Sequence, residues 1–334
     1  MAEHSMETLI VVNPRARLGD LGSRWSGLER ELLEVLGVES AQVVFTSPAD
    51  FGSEMTRNGL RKGIRRIVVV GGDGTVSQVV QGFFDQGRPI APDAVLVVMP
   101  GGRGDDFFKS LAGGRSQYSS KDAWQSGLKL LKSGSPQPCD VGTMEFLTTE
   151  GASSPKRFFI NIASFGYPGL VVKRVQSDAG LLGKSIVGKS AWAYLMQAAG
   201  GLIEYKPIPM LVKVDGEVLF QGPIFSGFVL NGRFNAGGAC WAEAAKIDDG
   251  LFHVLVTEPR GPVKFLASLG RMRSGNWDGV EKVHLRAGKT VEVTASGFDS
   301  TRHPLFEIDG DQPEPNGTYG ARFEILPQAI RVWR

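Results

Sequence analysis

Apolar and polar positions divide the chain into two stretches of different rhythm. In residues 1–135, short apolar runs alternate with segments of helical period. Thr8–Val12, Gln42–Thr46, Arg66–Val70 and Ala94–Met99 are such runs, each ending at a polar or glycine-rich loop, and each predicts a strand, the first of them buried. Leu21, Trp25, Leu28, Leu32 and Leu36 recur at steps of three and four, which is one stripe of a helix. Ala49–Lys62, Val76–Phe84, Asp106–Leu111 and Lys121–Leu131 predict further helices. Strands alternating with helices predict a parallel sheet covered on both faces.

The rhythm changes near Pro136-Gln137-Pro138. Leu211–Val214, Glu217–Gln221, Phe225–Leu230, Phe252–Val256, Val291–Thr294 and Phe306–Ile308 are short strand-like runs separated by turn signals such as Asp215-Gly216. They predict an antiparallel sandwich or barrel-like domain, with a helical interlude at Ser190–Ile203. The final runs, Arg322–Leu326 and Ile330–Trp333, fit either domain. With no long linker between the halves, the pattern predicts packed domains with a cleft between them.

Composition narrows the classes. The 334 residues are 42% hydrophobic and 22% charged, which supports a large core and excludes wholesale disorder. A net charge of +2 argues against a strongly basic nucleic-acid binder. Cys139 and Cys240 are too few for a disulfide framework or a four-cysteine zinc site, and suit a reducing compartment. Glu3 and Glu7 stand where an export signal would be basic, and no apolar stretch reaches the roughly 18 residues of a membrane span. The expected location is cytoplasmic, with at most peripheral membrane contact. Glycine is in excess, 44 residues where an average chain has about 23, which implies tight turns or close approach of backbone to ligand.

His4, His253, His284 and His303 form no metal-ligand spacing, and there is no nucleophile elbow, Walker-type phosphate loop or Rossmann fingerprint. Glycine loops and carboxylates remain. Gly71-Gly72-Asp73-Gly74-Thr75 lies between a strand and a helix, where glycines allow positive φ, amides approach phosphates and the helix N-terminus favours an anion. Such a segment also serves as a plain strand-to-helix turn. Three more strand ends resemble it: Asn13-Pro14-Arg15-Ala16-Arg17, Thr46-Ser47, and Pro100-Gly101-Gly102-Arg103-Gly104-Asp105-Asp106-Phe107. Four such loops at one sheet edge describe a nucleotide site, with Arg15, Arg17 or Arg103 available to pair with phosphates.

Taken in order, these segments resemble the diacylglycerol kinase catalytic family of bacterial lipid kinases, which is similar to sphingosine and ceramide kinases. The family's Gly-Gly-Asp-Gly-Thr and following Asn-Glu-Val-x-Asn-Gly stand here as Gly71–Thr75 and Ser77-Gln78-Val79-Val80-Gln81-Gly82. Its Pro-x-Gly-Thr-x-Asn-Asp-Phe stands as Pro100–Phe107 and its Phe-x-Asn-x-x-x-x-Gly as Phe159–Gly166. Asn231-Gly232, Gly237-Gly238, Ala245–Leu251 and Ile308-Asp309-Gly310-Asp311 resemble its later motifs. The resemblance implies an N-terminal phosphofructokinase- and NAD-kinase-like three-layer α/β domain over residues 1–135, joined by returning residues 322–334. It also implies a C-terminal antiparallel β-sandwich lipid-binding domain over residues 136–321.

By the same resemblance, Asn13, Pro14, Arg15, Thr46, Gly71, Gly72, Asp73, Gly74, Thr75, Gly102, Arg103 and Asp106 would hold ATP. The Asp249 side chain and the carbonyls of Lys246 and Leu251 would hold a structural Mg2+, although Asp249-Gly250 also reads as a turn. Asp311, beside Asp309, takes the place of the family's acidic proton acceptor, and Asp73 has that role in sphingosine kinase relatives; both stay candidates for the base. Several positions depart from the pattern. Ser77-Gln78 replaces Asn-Glu, Arg103 replaces Thr, Asp105 replaces Asn beside the expected phosphates, and Asp311 replaces a Glu.

The reading that follows is an ATP-dependent lipid kinase acting on a hydroxyl of diacylglycerol or a related lipid, peripheral to the inner face of the membrane. The basic residues Lys173, Arg174, Lys184 and Lys189 around the apolar stretch 180–186 suit an anionic interface, or equally a solvated face. A homodimer is left open. The rival readings are a kinase of a soluble acceptor, as in NAD kinases, and a catalytically weak lipid- or nucleotide-binding regulator.

Overall fold

A computed structural model describes residues 7–16, 20–47, 51–149, 154–181, 205–260, 271, 274–296, 304–312 and 317–334. In the first half, β1 (Thr8–Val12), α1 (Asp20–Leu36), β2 (Gln42–Phe45), α2 (Phe51–Arg61), β3 (Arg66–Gly71) and α3 (Asp73–Gln81) alternate. A short hairpin of β4 (Phe84–Asp85) and β5 (Arg88–Pro89) follows, then β6 (Val95–Pro100), α4 (Asp106–Leu111) and α5 (Ala123–Ser133). The second half contains β7 (Pro136–Thr148), β8 (Arg157–Phe159), β9 (Ile162–Gly166), α6 (Tyr167–Leu181), β10 (Ile208–Val214), β11 (Glu217–Ile224) and β12 (Ser226–Leu230). It continues with β13 (Phe234–Asn235), β14 (Ala239–Cys240), β15 (Phe252–Thr257), β16 (Val283–Gly288), β17 (Thr290–Ala295), β18 (Phe306–Ile308) and β19 (Thr318–Trp333). The helix expected at Ser190–Ile203, and Lys184 and Lys189 before it, lie outside the described residues.

In the first half β2, β1, β3 and β6 are parallel neighbours, and alternate side chains of each strand feed two cores. Leu9, Val11, Ile67, Val69, Leu96 and Val98 pack toward α2, α3 and α4. Ile10, Val12, Val68, Val70, Val97 and Met99 pack toward Leu21, Trp25 and Leu32 of α1 and Leu128 and Leu131 of α5. The runs at β1, β3 and β6 are thus strands buried on both faces of a three-layer α/β sandwich, whereas β2, at the sheet edge, is not buried and leaves Phe45 47% exposed.

The second half is an antiparallel sandwich. The sheet β16-β15-β12-β9-β18 lies against β11, β10, β17, β19 and β7, with Phe159, Phe165, Val212, Val229, Val254, Val293, Phe306 and Phe323 between them. β19 joins the two architectures. Its first part pairs with β17 and β7, and Arg331 and Val332 pair in parallel with Val95 and Leu96 of β6. The two runs expected at 322–326 and 330–333 are one strand, broken in register between Leu326 and Ile330, where Gln328 has φ 50°. Pro136 and Pro138 sit in β7 where its recorded pairing is with β19 alone, so a missing N–H costs no ladder bond on the other side.

Candidate active site

Each strand of the parallel sheet ends at a loop that packs on its neighbour. Asn13 donates from its amide Nδ2 to Thr75 Oγ1 at 3.0 Å, and its own Oδ1 receives the Arg15 N–H at 3.0 Å. Gly101 N–H donates to the Gly71 carbonyl at 2.9 Å. A Cβ on Gly72 would lie 2.8 Å from Gly102 Cα, and one on Gly102 would lie 2.5 Å from Gly72 Cα. None of Gly71, Gly72, Gly74, Gly101, Gly102 and Gly104 has a positive φ. This corrects the expectation of left-handed turns: glycine is required here because the loops after β3 and β6 touch backbone to backbone. Gly74 differs, since a Cβ there meets nothing within 4 Å and it faces open space.

These loops form one wall of a cleft of about 1260 Å³. Asn13, Arg15, Thr46, Gly72, Gly74, Thr75, Gly102 and Arg103 line it from the first half, and Lys156, Arg157, Asp309 and Asp311 from the second. Pro14, Gly71, Asp73 and Asp106 are not in the lining; Gly71 and Asp106 are buried, and Pro14 and Asp73 are half-buried. Asp73 Oδ1 accepts the Phe107 N–H at 3.0 Å, and burial followed by the Asp106 carboxylate pushes its carboxyl up to about 7. Asp106 is buried, paired with the buried Lys109 ammonium at 2.9 Å and accepting the Gly237 N–H at 2.9 Å. Lys109 also donates to the Gly104 carbonyl at 2.6 Å. Asp105, expected to place an acid beside the phosphates, turns away from the cleft. It is buried, accepts Gly102 N–H and Tyr118 O–H at 2.7 Å each, and has φ 48°, a conformation that Asp and Asn tolerate.

The opposite wall carries a two-residue turn. Asp309 (φ 47°) and Gly310 (φ 85°) join Ile308 and Asp311, whose backbones bond each other in both directions at 2.8 Å. The Asp309 carboxylate accepts the N–H groups of Ile160, Asn161 and Ile162 at 3.0–3.1 Å. Burial still pushes its carboxyl up to about 6. Asp309 is fully occupied in fastening the turn. Asp311 is exposed: Oδ1 accepts the Gln312 N–H at 3.0 Å and Oδ2 lies 3.7 Å from Arg157 Nη2. Buried Glu307 supports the turn from behind, accepting Ser164 O–H at 2.6 Å and Gly310 N–H at 2.8 Å.

Lys246, Asp249 and Leu251 lie together away from the cleft lining. Asp249 Oδ1 accepts the Leu251 N–H at 3.1 Å, and Oδ2 stands 3.5 Å from His253 Nε2. Buried Asp140 accepts Gly250 and Gln328 N–H groups, and its carboxyl is pushed up by burial and by the charges of Asp249 and Asp248. Asp248 pairs with Arg334. Among the described residues no three His, Cys, Asp or Glu side chains converge as a metal cage. One carboxylate with carbonyls, in a region of excess negative charge, fits a hard cation that keeps several waters.

Arg57 and Arg157 line the cleft, and Lys109 and Asp140 are buried beside Asp106 and Gly250; no motif announced any of the four. A lone acid inside the apolar run Cys139–Val141 and a lysine one turn into α4 were the available signals.

Comparison with known proteins agrees with this architecture. Residues 7–144 match the diacylglycerol kinase catalytic domain, and residues 163–334 match the YegS C-terminal NAD kinase beta sandwich-like domain. A diacylglycerol kinase of Staphylococcus saprophyticus subsp. saprophyticus is 27% identical over 305 residues, covering 90% of this chain and 87% of that protein. One of Staphylococcus aureus is 28% identical over 303 residues, covering 90% and 84%. Two solved chains from Bacillus anthracis str. Sterne superpose with TM-scores of 0.69 and 0.64 at 19% and 17% identity, each covering 98% of this chain and 96% of the other. The chain belongs to the diacylglycerol kinase catalytic family.

Proposed function

We propose that this protein is an ATP-dependent lipid kinase that transfers the γ-phosphoryl group to a hydroxyl of diacylglycerol or a related lipid. The observation that carries the reading is the composition of the cleft. Glycine loops of the α/β half and an acidic turn of the sandwich half line one cavity, and phosphoryl transfer needs phosphate positioning on one side and a proton acceptor on the other.

On the nucleotide side, Arg15 and Arg103 would pair with phosphate oxygens, Thr75 and Asn13 would shape the loop, and Gly74 leaves room at the α3 N-terminus, where an anion is favoured. On the acceptor side, Asp311 is the favoured base. Asp311 is exposed and lines the cleft, whereas Asp309 has its oxygens filled by backbone donors and Asp73 is outside the lining with Oδ1 bonded to the Phe107 N–H. Asp311 would accept the hydroxyl proton as that oxygen attacks phosphorus. Asp309 and Asp73 would position the two walls. Magnesium would neutralise phosphate charge when bound, and the Asp249 side chain with the Lys246 and Leu251 carbonyls would hold the structural ion. Peripheral contact with the inner membrane face follows from a substrate whose hydroxyl lies at the bilayer surface.

The test compares acceptors under one set of conditions: diacylglycerol in mixed micelles, a whole-lipid extract, and NAD in water, each with labelled ATP and magnesium. Label in lipid supports the proposal. Label in NAD alone would replace it with a soluble-acceptor kinase, and nucleotide binding without transfer to any acceptor would replace it with a binding regulator.

A further inference from the structure

We propose that Arg157 is a catalytic residue of this site, its guanidinium donating to the oxygens of the transferring phosphoryl group beside Asp311. The inference rests on the kinase reading above and adds a residue that no motif of the chain assigns.

The position is rigid. Arg157 opens β8, paired with Met144 of β7. The next residue, Phe158, is held on both sides: its backbone N–H and carbonyl bond the Gln81 amide, and its ring stacks on Phe84 with centroids 4.0 Å apart. A side chain on such a segment needs little reorganisation to meet a reacting group.

Arg157 also keeps its donors. Nη2 lies 3.7 Å from Asp311 Oδ2, close enough for attraction and too far for a hydrogen bond. Nε is buried with no hydrogen-bond partner among the described residues. An unmade buried donor is costly unless a ligand or water completes it. Among the described residues, two other cations of the cleft lining are engaged: Arg57 of α2 donates to the carbonyls of Phe84 and Gln81, and Lys156 pairs with Glu324.

Charge supplies the reason. A carboxylate base and a phosphoryl group are both anionic and repel at contact distance. A cation bordering both removes that conflict, and the planar guanidinium matches the phosphoryl oxygens. In the step, the acceptor oxygen bonds to the γ-phosphorus and the bond from phosphorus to the β,γ-bridging oxygen breaks. That electron pair leaves with ADP, the hydroxyl proton passes to Asp311, and Arg157 keeps its protons.

The test uses the full chain and the variants Arg157→Gln and Arg157→Lys. ADP binding is measured with magnesium, with and without aluminium fluoride, which mimics the phosphoryl group in transfer. We expect Arg157→Gln to bind ADP within about twofold of wild type and to lose the tightening caused by aluminium fluoride. Its kcat on lipid should fall at least about 100-fold with KM for ATP nearly unchanged. Arg157→Lys keeps the packed stem and should recover part of both; should the Gln variant not fold, a kcat loss of about tenfold or more in the Lys variant is the expected result. Unchanged tightening and kcat within about threefold would overturn the proposal, as would a parallel loss of ADP affinity and kcat. Because the fluoride measurement needs no acceptor, wild-type protein that labels no lipid would count against the lipid reading and leave Arg157 to be judged separately.

Discussion

The Gln81 side chain lies on the Phe158 backbone like one more strand residue, accepting the Phe158 N–H at 3.1 Å through Oε1 and donating from Nε2 to its carbonyl. Gln81 ends α3, the helix that begins at the glycine loop, and Phe158 leads from β8 into the segment bonded by Asp309. Ser77, one turn earlier on α3, lines the cleft together with Asp309. The two walls of the cleft are therefore fastened by a position that departs from the family pattern. Gln81 gives up nothing in this chain; it supplies neutral hydrogen bonds across the interface.

Replacing Gln81 by Ala leaves both Phe158 backbone groups without a partner at a part-buried position. We expect a loss of about 1–3 kcal/mol in unfolding free energy, read by urea denaturation. A change below about 0.5 kcal/mol would show that water replaces the amide at no cost.

Gly102 and Gly74 should respond in opposite ways. Gly102→Ala forces a Cβ against Gly72 Cα and to 2.7 Å from Asp105 Oδ1, and should destabilise by about 1–3 kcal/mol. Gly74→Ala meets no protein atom and lies in a helix, so stability should hold or rise while ATP affinity falls. Calorimetric unfolding with ATP titration separates the two; equal loss of stability in both variants would refute the distinction between packing and ligand-facing glycines.

Stability should fall as pH rises from about 4.5 to about 7. Burial lifts the Glu307 carboxyl from 4.5 to about 7, so between those values the folded protein holds a proton that the unfolded chain has released. The slope of unfolding free energy with pH is then negative across that window and flat above it. Asp73 and Asp309, also raised, act in the same direction. Glu307→Gln should flatten the profile between pH 5 and 8 and gain roughly 1–3 kcal/mol at the alkaline end. Denaturation at several pH values checks this, and an unchanged slope in the variant would contradict it.

Millimolar magnesium should raise the thermal midpoint of the wild-type protein and leave that of Asp249→Asn unmoved, because an ion bound only by the folded state stabilises it. Equal rises in both proteins would place the ion elsewhere.

Much of this arrangement was legible in the sequence, for physical reasons. Thr8–Val12 is a strand as the apolar run predicted, because burial of both faces leaves the run almost wholly apolar, and Phe306–Ile308 is a strand although its centre is the buried Glu307, bonded to Ser164 and Gly310. The glycine loops were legible too, since close packing at Gly72 and Gly102 tolerates no side chain. What stayed hidden depends on distant partners. The continuity of β19 through Pro327 follows from its pairing with β7, and no local signal reports that. Asp105 read as an acid beside phosphates because its partner Tyr118 stands outside the motif. Arg157 carried no signature, because its placement comes from the Gln81–Phe158 lock and from a turn far along the chain.

The most direct test of the kinase assignment is transfer of label from γ-labelled ATP into the organic-soluble fraction, with wild-type protein and Asp311→Asn side by side in mixed micelles. A labelled phospholipid is expected from the wild type and a fall of at least about 100-fold in the variant, with ATP binding retained. Labelled lipid formed at equal rates by both proteins would contradict the assignment of Asp311, and no labelled lipid from the wild type under any acceptor mixture would contradict the kinase reading itself.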